Sequence, residues 1–268
     1  MPRFKLTIEY AGTRYSGWQI QKNARTVAGE IDRCVRSVTG RKDFELYGSG
    51  RTDAGVHALA QVAHLDVSTN LPADTLRRRI NDEQPADINI LAAEPVPHRF
   101  HARHDAVARR YVYQLSRRRT AFAKPFVWWI KDALDLDRMR AASRAFVGMQ
   151  DFQSFAAGDP EADASTLVLV ERLDVVDHGD LILVSIEGSH FLWKMVRRIV
   201  GVLVEIGTGG LEAGAAAALL RDASSAPARL TAPASGLFLE HVYYKGDERG
   251  GPPTAATPLL DATSAATR

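Results

Sequence analysis

In the stretch YGSGRTDAGVHALAQVAH, residues 47–64, a single carboxylate, Asp53, stands in a glycine-punctuated loop just ahead of an apolar, strand-like run. Gly48, Gly50 and Gly55 around it mark a tightly shaped loop rather than a flexible one. A lone carboxylate in a site that excludes water can attack an anomeric carbon, as in covalent glycoside chemistry. To stay ionised there it needs a cation, which offsets the desolvation that would otherwise raise its pKa. Arg51 lies two residues away and need not point the same way. Arg197 sits on the flank of a later apolar helix, with Gly201 one turn on leaving space beside it, and could approach from another part of the fold. The plainer alternative is an aspartate that braces its own loop through an Asx-turn. Spacing alone leaves both readings open.

Other chemistries are excluded by pattern. There is no GxxxxGK[ST] phosphate loop, no HExxH, no CxxC and no GxSxG elbow. His98, His101 and His104 would align on a helix, but Pro97 and the neighbouring Arg99 and Arg103 make a poor zinc site, so no metal is expected. The lone Cys34 falls at an apolar helical position beside Ile31 and Val35 and reads as core rather than nucleophile.

The elements that must position these residues follow from periodicity. Phe4, Leu6, Ile8 and Tyr10 alternate with Lys5, Thr7 and Glu9, so the chain opens with a strand. Thr26 caps a helix striped by Val27, Ile31, Val35 and Val38 and ended near Gly40. Strands are expected at 44–47 and 56–67, a short helix at 73–81, and a strand near 88–95 stopped by Pro95 and Pro97. Then come a strand at 107–116, a helix at 136–147 and a hairpin of 167–177 with 181–187, turning at His178, Gly179 and Asp180. The helix 192–206 puts Leu192, Met195, Val196, Ile199, Leu203 and Ile206 on one face, and a last strand is expected at 237–244. Strands clustered with helices, without steady alternation, argue for α+β. The expected division is an N-terminal α+β domain at 1–106 with the Asp53 loop, a C-terminal α+β domain at 107–246, and an unordered tail at 247–268 rich in Pro, Ala, Thr and Gly.

At 268 residues and 46% hydrophobic content the chain can bury a large core. No apolar run approaches a membrane span, and MPRFKLTIEY lacks a signal peptide's apolar core, so the cytoplasm is the expected location. The net charge of +2 hides an asymmetry: residues 96–119 hold seven arginines against Asp105, which leaves the remaining chain net negative. His98, Phe100, His101, His104, Tyr111 and Tyr113 interleave with that charge, a pattern suited to a polyanion whose bases stack on aromatic rings.

The tracts YAGTRYSGWQIQ, GSGRTDAGVHALAQVAH, FHARHDAVARRYVY, DFQSF, FLWKMVRRIVGVLVEIG and APASGLFLEHVYY, spread in order over residues 10–244, together resemble the tRNA pseudouridine synthase A (TruA) family. Ala11, Gln150 and Phe238 depart from the usual pattern, and none touches the chemistry. The resemblance implies two ferredoxin-like, RRM-like α+β domains with largely antiparallel sheets around a central cleft. It makes Asp53 the catalytic aspartate, Tyr111 the aromatic residue that contacts the target base, and Arg197 the partner of the aspartate. Arg51 would enter the space left by the flipped nucleotide, and Leu237 would line the apolar side of the pocket. Arg103 and Arg119, with Arg109 and Arg110, would hold the tRNA backbone. The implied substrate is uridine at tRNA positions 38, 39 and 40, in the anticodon stem-loop. The implied enzyme is an isomerase, a homodimer without cofactor or catalytic metal.

Two rival readings remain at this level. A non-catalytic RNA-binding module would keep the basic tract and tolerate loss of the Asp53 charge. A glycosidase would need a second positioned carboxylate, for which Glu205 and Glu240 are the nearest candidates in the later motifs.

Overall fold

The alternation at the start of the chain does form a strand. In the computed structural model, which describes residues 1–158 and 165–257, β1 (Arg3–Tyr10) buries Phe4, Leu6, Ile8 and Tyr10. There follow α1 (Val27–Thr39), β2 (Glu45–Gly48), β3 (His57–Asp66), α2 (Ala73–Glu83), β4 (Ile88–Val96) and β5 (Ala106–Ser116). The later elements are β6 (Trp128–Trp129), α3 (Leu136–Ser143), β7 (Gly148–Asp151), β8 (Leu167–His178) and β9 (Leu181–Gly188). They end with α4 (Met195–Gly207), α5 (Ala215–Arg221), α6 (Ala226–Arg229) and β10 (Leu237–Tyr244). Within each unit of the described residues the pairings are antiparallel except β10 with β3 and β6 with β5, so the class is α+β with largely antiparallel sheets.

The chain packs as two compact units. One is Met1–Val107 with Phe238–Arg249, and the other is Ala108–Leu237 with the described residues from Gly250. The change at 107–108 lies beside the expected boundary, but the chain returns to the first unit at Phe238. In that unit β1 lies between β4 and β3, and β3 is flanked further by β2 and by β10. Thr26 caps α1 by accepting from the Gly29 amide at 3.2 Å, and Gly40 ends it at φ 67°. Cys34 is fully buried on that helix, where desolvation pushes its thiol pKa up. β4 runs through Pro95, which pairs with Phe4. An edge strand tolerates the missing donor that would interrupt a central one.

In the second unit β9 lies between β5 and β8, with β7 beyond β8 and β6 on β5. The hairpin turns through Gly179 at φ 66°. The helix expected over 136–147 stops at Ser143 and tightens into a 3-10 turn, Arg144–Phe146, which buries Phe146 against Phe152 and Phe155. Those two phenylalanines belong to DFQSF, which is therefore a core plug of this unit. Arg198 on α4 donates to the carbonyls of Ser154 and Ala156 and holds that plug in place.

Of the tail expected from 247, residues 258–268 lie outside the described residues. Residues 247–249 pack with the first unit, and residues 250–257 are held to the second. The fully buried Gln114 accepts from the amides of Ala256 and Thr257 at 2.8 and 3.3 Å and donates to Thr257 Oγ1 at 3.0 Å. Arg110 donates to the Gly250 carbonyl at 2.8 Å.

Candidate active site

β2 and β3 pair with Tyr47 opposite His64 and Gly48 opposite Ala63, so residues 49–56 are the connection between two hydrogen-bonded strands. Its entry is stapled from β3. Gln61, wholly buried, accepts from Ser49 Oγ at 2.7 Å and donates to the Gly50 carbonyl at 3.1 Å, while the Ser49 amide reaches Val62 O at 2.7 Å. Its exit is a turn in which the Val56 amide donates to Asp53 O at 3.1 Å, with Gly55 at φ 80°. That positive φ in the third position of a four-residue turn is open to glycine and strained for most other residues.

Between entry and exit the loop is moulded by the segment that follows β1. The Trp18 amide donates to Thr52 O at 3.1 Å and the Gly55 amide to Tyr15 O at 3.2 Å. Tyr10 Oη lies 2.8 Å from Thr52 Oγ1, and His57 Nδ1 accepts from the Gly12 amide at 3.0 Å. Gly17 sits at φ 90° with Thr52 O only 2.5 Å from where a Cβ would be. The outcome is that Thr52 is buried, Asp53 is half-buried and Arg51 is exposed. The backbone that carries the Asp53 carboxylate is thus held on both sides.

In the second unit, β5 alternates its side chains against β9, with Tyr111 opposite Ile186 and Tyr113 opposite Val184. The two tyrosines of RRYVY differ in kind. Tyr113 is fully buried, donates its hydroxyl to Pro233 O at 2.8 Å, and has its pKa pushed up by burial. Tyr111 is half-buried, with its ring edge-on to Phe191 at 5.3 Å. Tyr113 is thus committed to the fold, and Tyr111 is the tyrosine suited to a ligand.

Arg197 is half-buried on α4, and its Nε donates to Ala232 O at 2.7 Å. The space expected beside Gly201 is filled. The Leu230 carbonyl oxygen comes to 1.6 Å of where a Cβ would stand, and the Ala232 amide donates to Arg197 O at 3.0 Å. The missing Cβ therefore serves backbone packing, and that packing in turn aims the Arg197 side chain. Leu237 is buried at the head of β10.

The basic stretch is less uniform than its composition suggests. Arg117 makes a two-point ion pair with Asp177 at 2.6 and 2.8 Å, which holds that carboxyl below its ordinary pKa, and Arg118 pairs with Asp180. Both acids belong to the β8–β9 hairpin. Arg109 donates to Ser189 O at 2.9 Å. Arg103 is exposed, as is Arg119, whose guanidinium lies 5.9 Å from the Trp129 ring. The histidines of this stretch shape its loop. His101 Nδ1 accepts from the amides of Arg103 and His104, both at 3.2 Å, and His64 Nδ1 accepts from the Ala102 amide at 3.2 Å. Among the described residues no group of three or more His, Cys, Asp or Glu side chains is placed to hold a metal ion. No helix among them is long and apolar enough to cross a membrane.

Asp53 and Arg51 thus belong to the first unit, and Tyr111, Arg197 and Leu237 to the second. The family model described as tRNA pseudouridine synthase matches residues 6–105 and 142–245, which include the Asp53 loop, α4 and β10. The chain belongs to that family. Relatives named tRNA pseudouridine synthase A include that of Beijerinckia indica, 40% identical over 94% of this chain and 98% of its own length. Those of Rhodopseudomonas palustris and Xanthobacter autotrophicus are each 41% identical over 91% of this chain and 100% of their own length. Among solved structures, "Crystal Structure of a Cbf5-Nop10-Gar1 Complex" covers 75% of this chain and 45% of that chain at 9% identity and a TM-score of 0.32, a likeness too remote to build on. Family membership sets aside the glycosidase reading of Asp53. What sequence reasoning missed is the mould around the loop, Tyr10, Gly17 and Gln61. For Tyr10 and Gly17 the signal was present in YAGTRYSGWQIQ, a tract of glycines and aromatics without a carboxylate.

Proposed function

We propose that this protein isomerises uridine to pseudouridine in the anticodon stem-loop of tRNA, at positions 38, 39 and 40, with Asp53 as its catalytic residue. As a member of the tRNA pseudouridine synthase family it is an isomerase. The observation that carries the assignment of Asp53 is its place in a loop tied down on both sides by buried partners, inside the matched region. In the reaction the N1–C1′ bond breaks, the base turns, C5 bonds to C1′, and the proton on C5 leaves while N1 gains one. No atom or electron is exchanged with a cofactor, and none is required.

Asp53 acts on the ribose, either by attack on C1′ or by taking the C2′ proton. Tyr111 stacks on the flipped base and assists removal of the C5 proton. Arg197 keeps the aspartate ionised, and Leu237 supplies an apolar wall. Taking the base out of the stack costs a few kcal/mol, which Tyr111 stacking and Arg51 insertion offset. Arg103 and Arg119, with Arg109 and Arg110, hold phosphates, as suits RNA recognised by shape and backbone. The synthase acts as a homodimer in the cytoplasm, where its tRNA substrate resides.

Tritium release from tRNA labelled at C5 of uridine tests the proposal, because forming the C5–C1′ bond expels that hydrogen. The wild type is expected to release it from tRNAs with uridine at 38, 39 or 40, and Asp53→Asn to release none while still binding tRNA. Binding without release by the wild type would make the protein an RNA-binding module, and equal release by both would remove Asp53 from the chemistry.

A further inference from the structure

The opening motif is explained by neither the chemistry of Asp53 nor the charge that binds RNA, yet Tyr10, Tyr15, Gly17 and Trp18 all touch the Asp53 loop. The Trp18 amide and the Tyr15 carbonyl clamp the backbone at Thr52 and Gly55, on either side of Asp53, and the Gly12 amide anchors His57 just beyond. Tyr10 contributes a side chain. It is the last residue of β1, paired with Ala58 on β3 and Ile88 on β4, and its ring packs 6.1 Å from that of Trp18. From that rigid position its hydroxyl meets Thr52 Oγ1 at 2.8 Å, with both residues under one-tenth exposed.

We infer that Tyr10 is a positioning residue for the reaction, acting through its hydroxyl on Thr52 to set the direction of the Asp53 carboxylate. This rests on the reading of Asp53 as the reacting group. The backbone bonds fix where the Thr52 carbonyl and Gly55 amide lie, but they leave small rotations about the φ and ψ bonds flanking the planar Thr52–Asp53 peptide. A bond from the Thr52 side chain to a strand-borne ring removes that freedom at the residue adjoining the carboxylate. Transfer chemistry is steeply sensitive to such errors, since a misplacement of about 1 Å can cost on the order of a hundredfold in rate. Packing alone does not call for a hydroxyl here. Phenylalanine would fill the same volume, bury more apolar surface and leave Thr52 Oγ1 without this partner.

The test compares Tyr10→Phe, Thr52→Val, the double variant and Thr52→Ser with the wild type, on kcat and KM for tRNA and on thermal unfolding. Tyr10→Phe and Thr52→Val are each expected to lower kcat about tenfold, a fraction of the full misplacement cost, with KM within about twofold. The double variant is expected to be no slower than the slower single one, because both remove one bond. Thr52→Ser, which keeps the hydroxyl, is expected to restore most of the rate. Wild-type kcat in Tyr10→Phe would overturn the inference, as would losses that multiply in the double variant or that match a fall in the folded fraction. Asp53→Asn, run alongside, separates the two levels. If it turns over, the reading of Asp53 fails and the inference with it, whereas an inactive Asp53→Asn beside a fully active Tyr10→Phe sinks the inference alone.

Discussion

Residues 49–56 and residues 96–119 both have a part in the proposed reaction, and they are built in opposite ways. In the first, Ser49, Gly50, Thr52, Asp53 and Gly55 each give a backbone or side-chain group to a specific bond, mostly from buried partners. In the second, charge is spread along the chain. Arg117 and Arg118 are answered by acids, Arg109 and Arg110 by carbonyls, and Arg103 and Arg119 lie exposed. Distance dependence explains the difference. Making or breaking a covalent bond needs atoms placed within a fraction of an ångström, whereas attraction between a guanidinium and a polyanion declines gently with separation. A catalytic loop is therefore moulded, and a binding stretch need only be charged and roughly oriented.

Gly17→Ala strikes the mould hardest. A Cβ there meets Thr52 O at 2.5 Å on a backbone at φ 90°, so the loop must shift. Turnover is expected to fall on the order of a hundredfold or more, and unfolding to be destabilised by about 1–3 kcal/mol. Thermal melts and single-turnover rates check both. A glycine to alanine change that left the rate intact would mean that the loop is not held from this side.

The 96–119 stretch has a moulded part of its own, and acid tests it. His64, almost wholly buried, is pushed from 6.5 down to about 4, chiefly by desolvation and further by Arg3 and His101. The neutral ring is the one that accepts from the Ala102 amide. The unfolded chain takes up a proton near 6.5 and the folded one resists until about 4, so this stability is whole above 6.5 and is lost as pH falls through that window. The loss approaches about 3 kcal/mol at the bottom of it. Denaturant unfolding at stepped pH should show the slope, and His64→Asn, which offers an acceptor oxygen but does not titrate, should flatten it. An unchanged slope would assign the acid sensitivity to other groups.

The smallest effect separates neighbouring arginines. Arg119→Ala is expected to weaken tRNA binding a few-fold and to lower the salt slope of log K by about one. Arg117→Ala, already paired with Asp177, should change that slope little. Equal slopes would make the stretch a uniform charge after all.

Much of this was legible in local pattern. The alternation of β1, the Thr26 cap and Gly40 stop of α1, the β8–β9 hairpin and the buried face of α4 all depend on neighbours a few residues apart. The shaped loop around Asp53 was legible too, from its glycine spacing, whereas a role for Asp53 came only with the family resemblance. Not legible were the 3-10 turn that ends α3 early, where the buried Phe146 outweighs helical period, and β4 continuing through Pro95.

By itself, then, the sequence determined the α+β class, the basic stretch and the shaped loop that carries Asp53, since each follows from residue type and short-range period. Only the tertiary structure decided that Phe238 pairs beside His57, that the Leu230 carbonyl occupies the space beside Gly201, and that Tyr10 reaches Thr52. Those contacts join residues tens to hundreds of positions apart. Side-chain period reports which face of an element is buried and carries no record of what it is buried against.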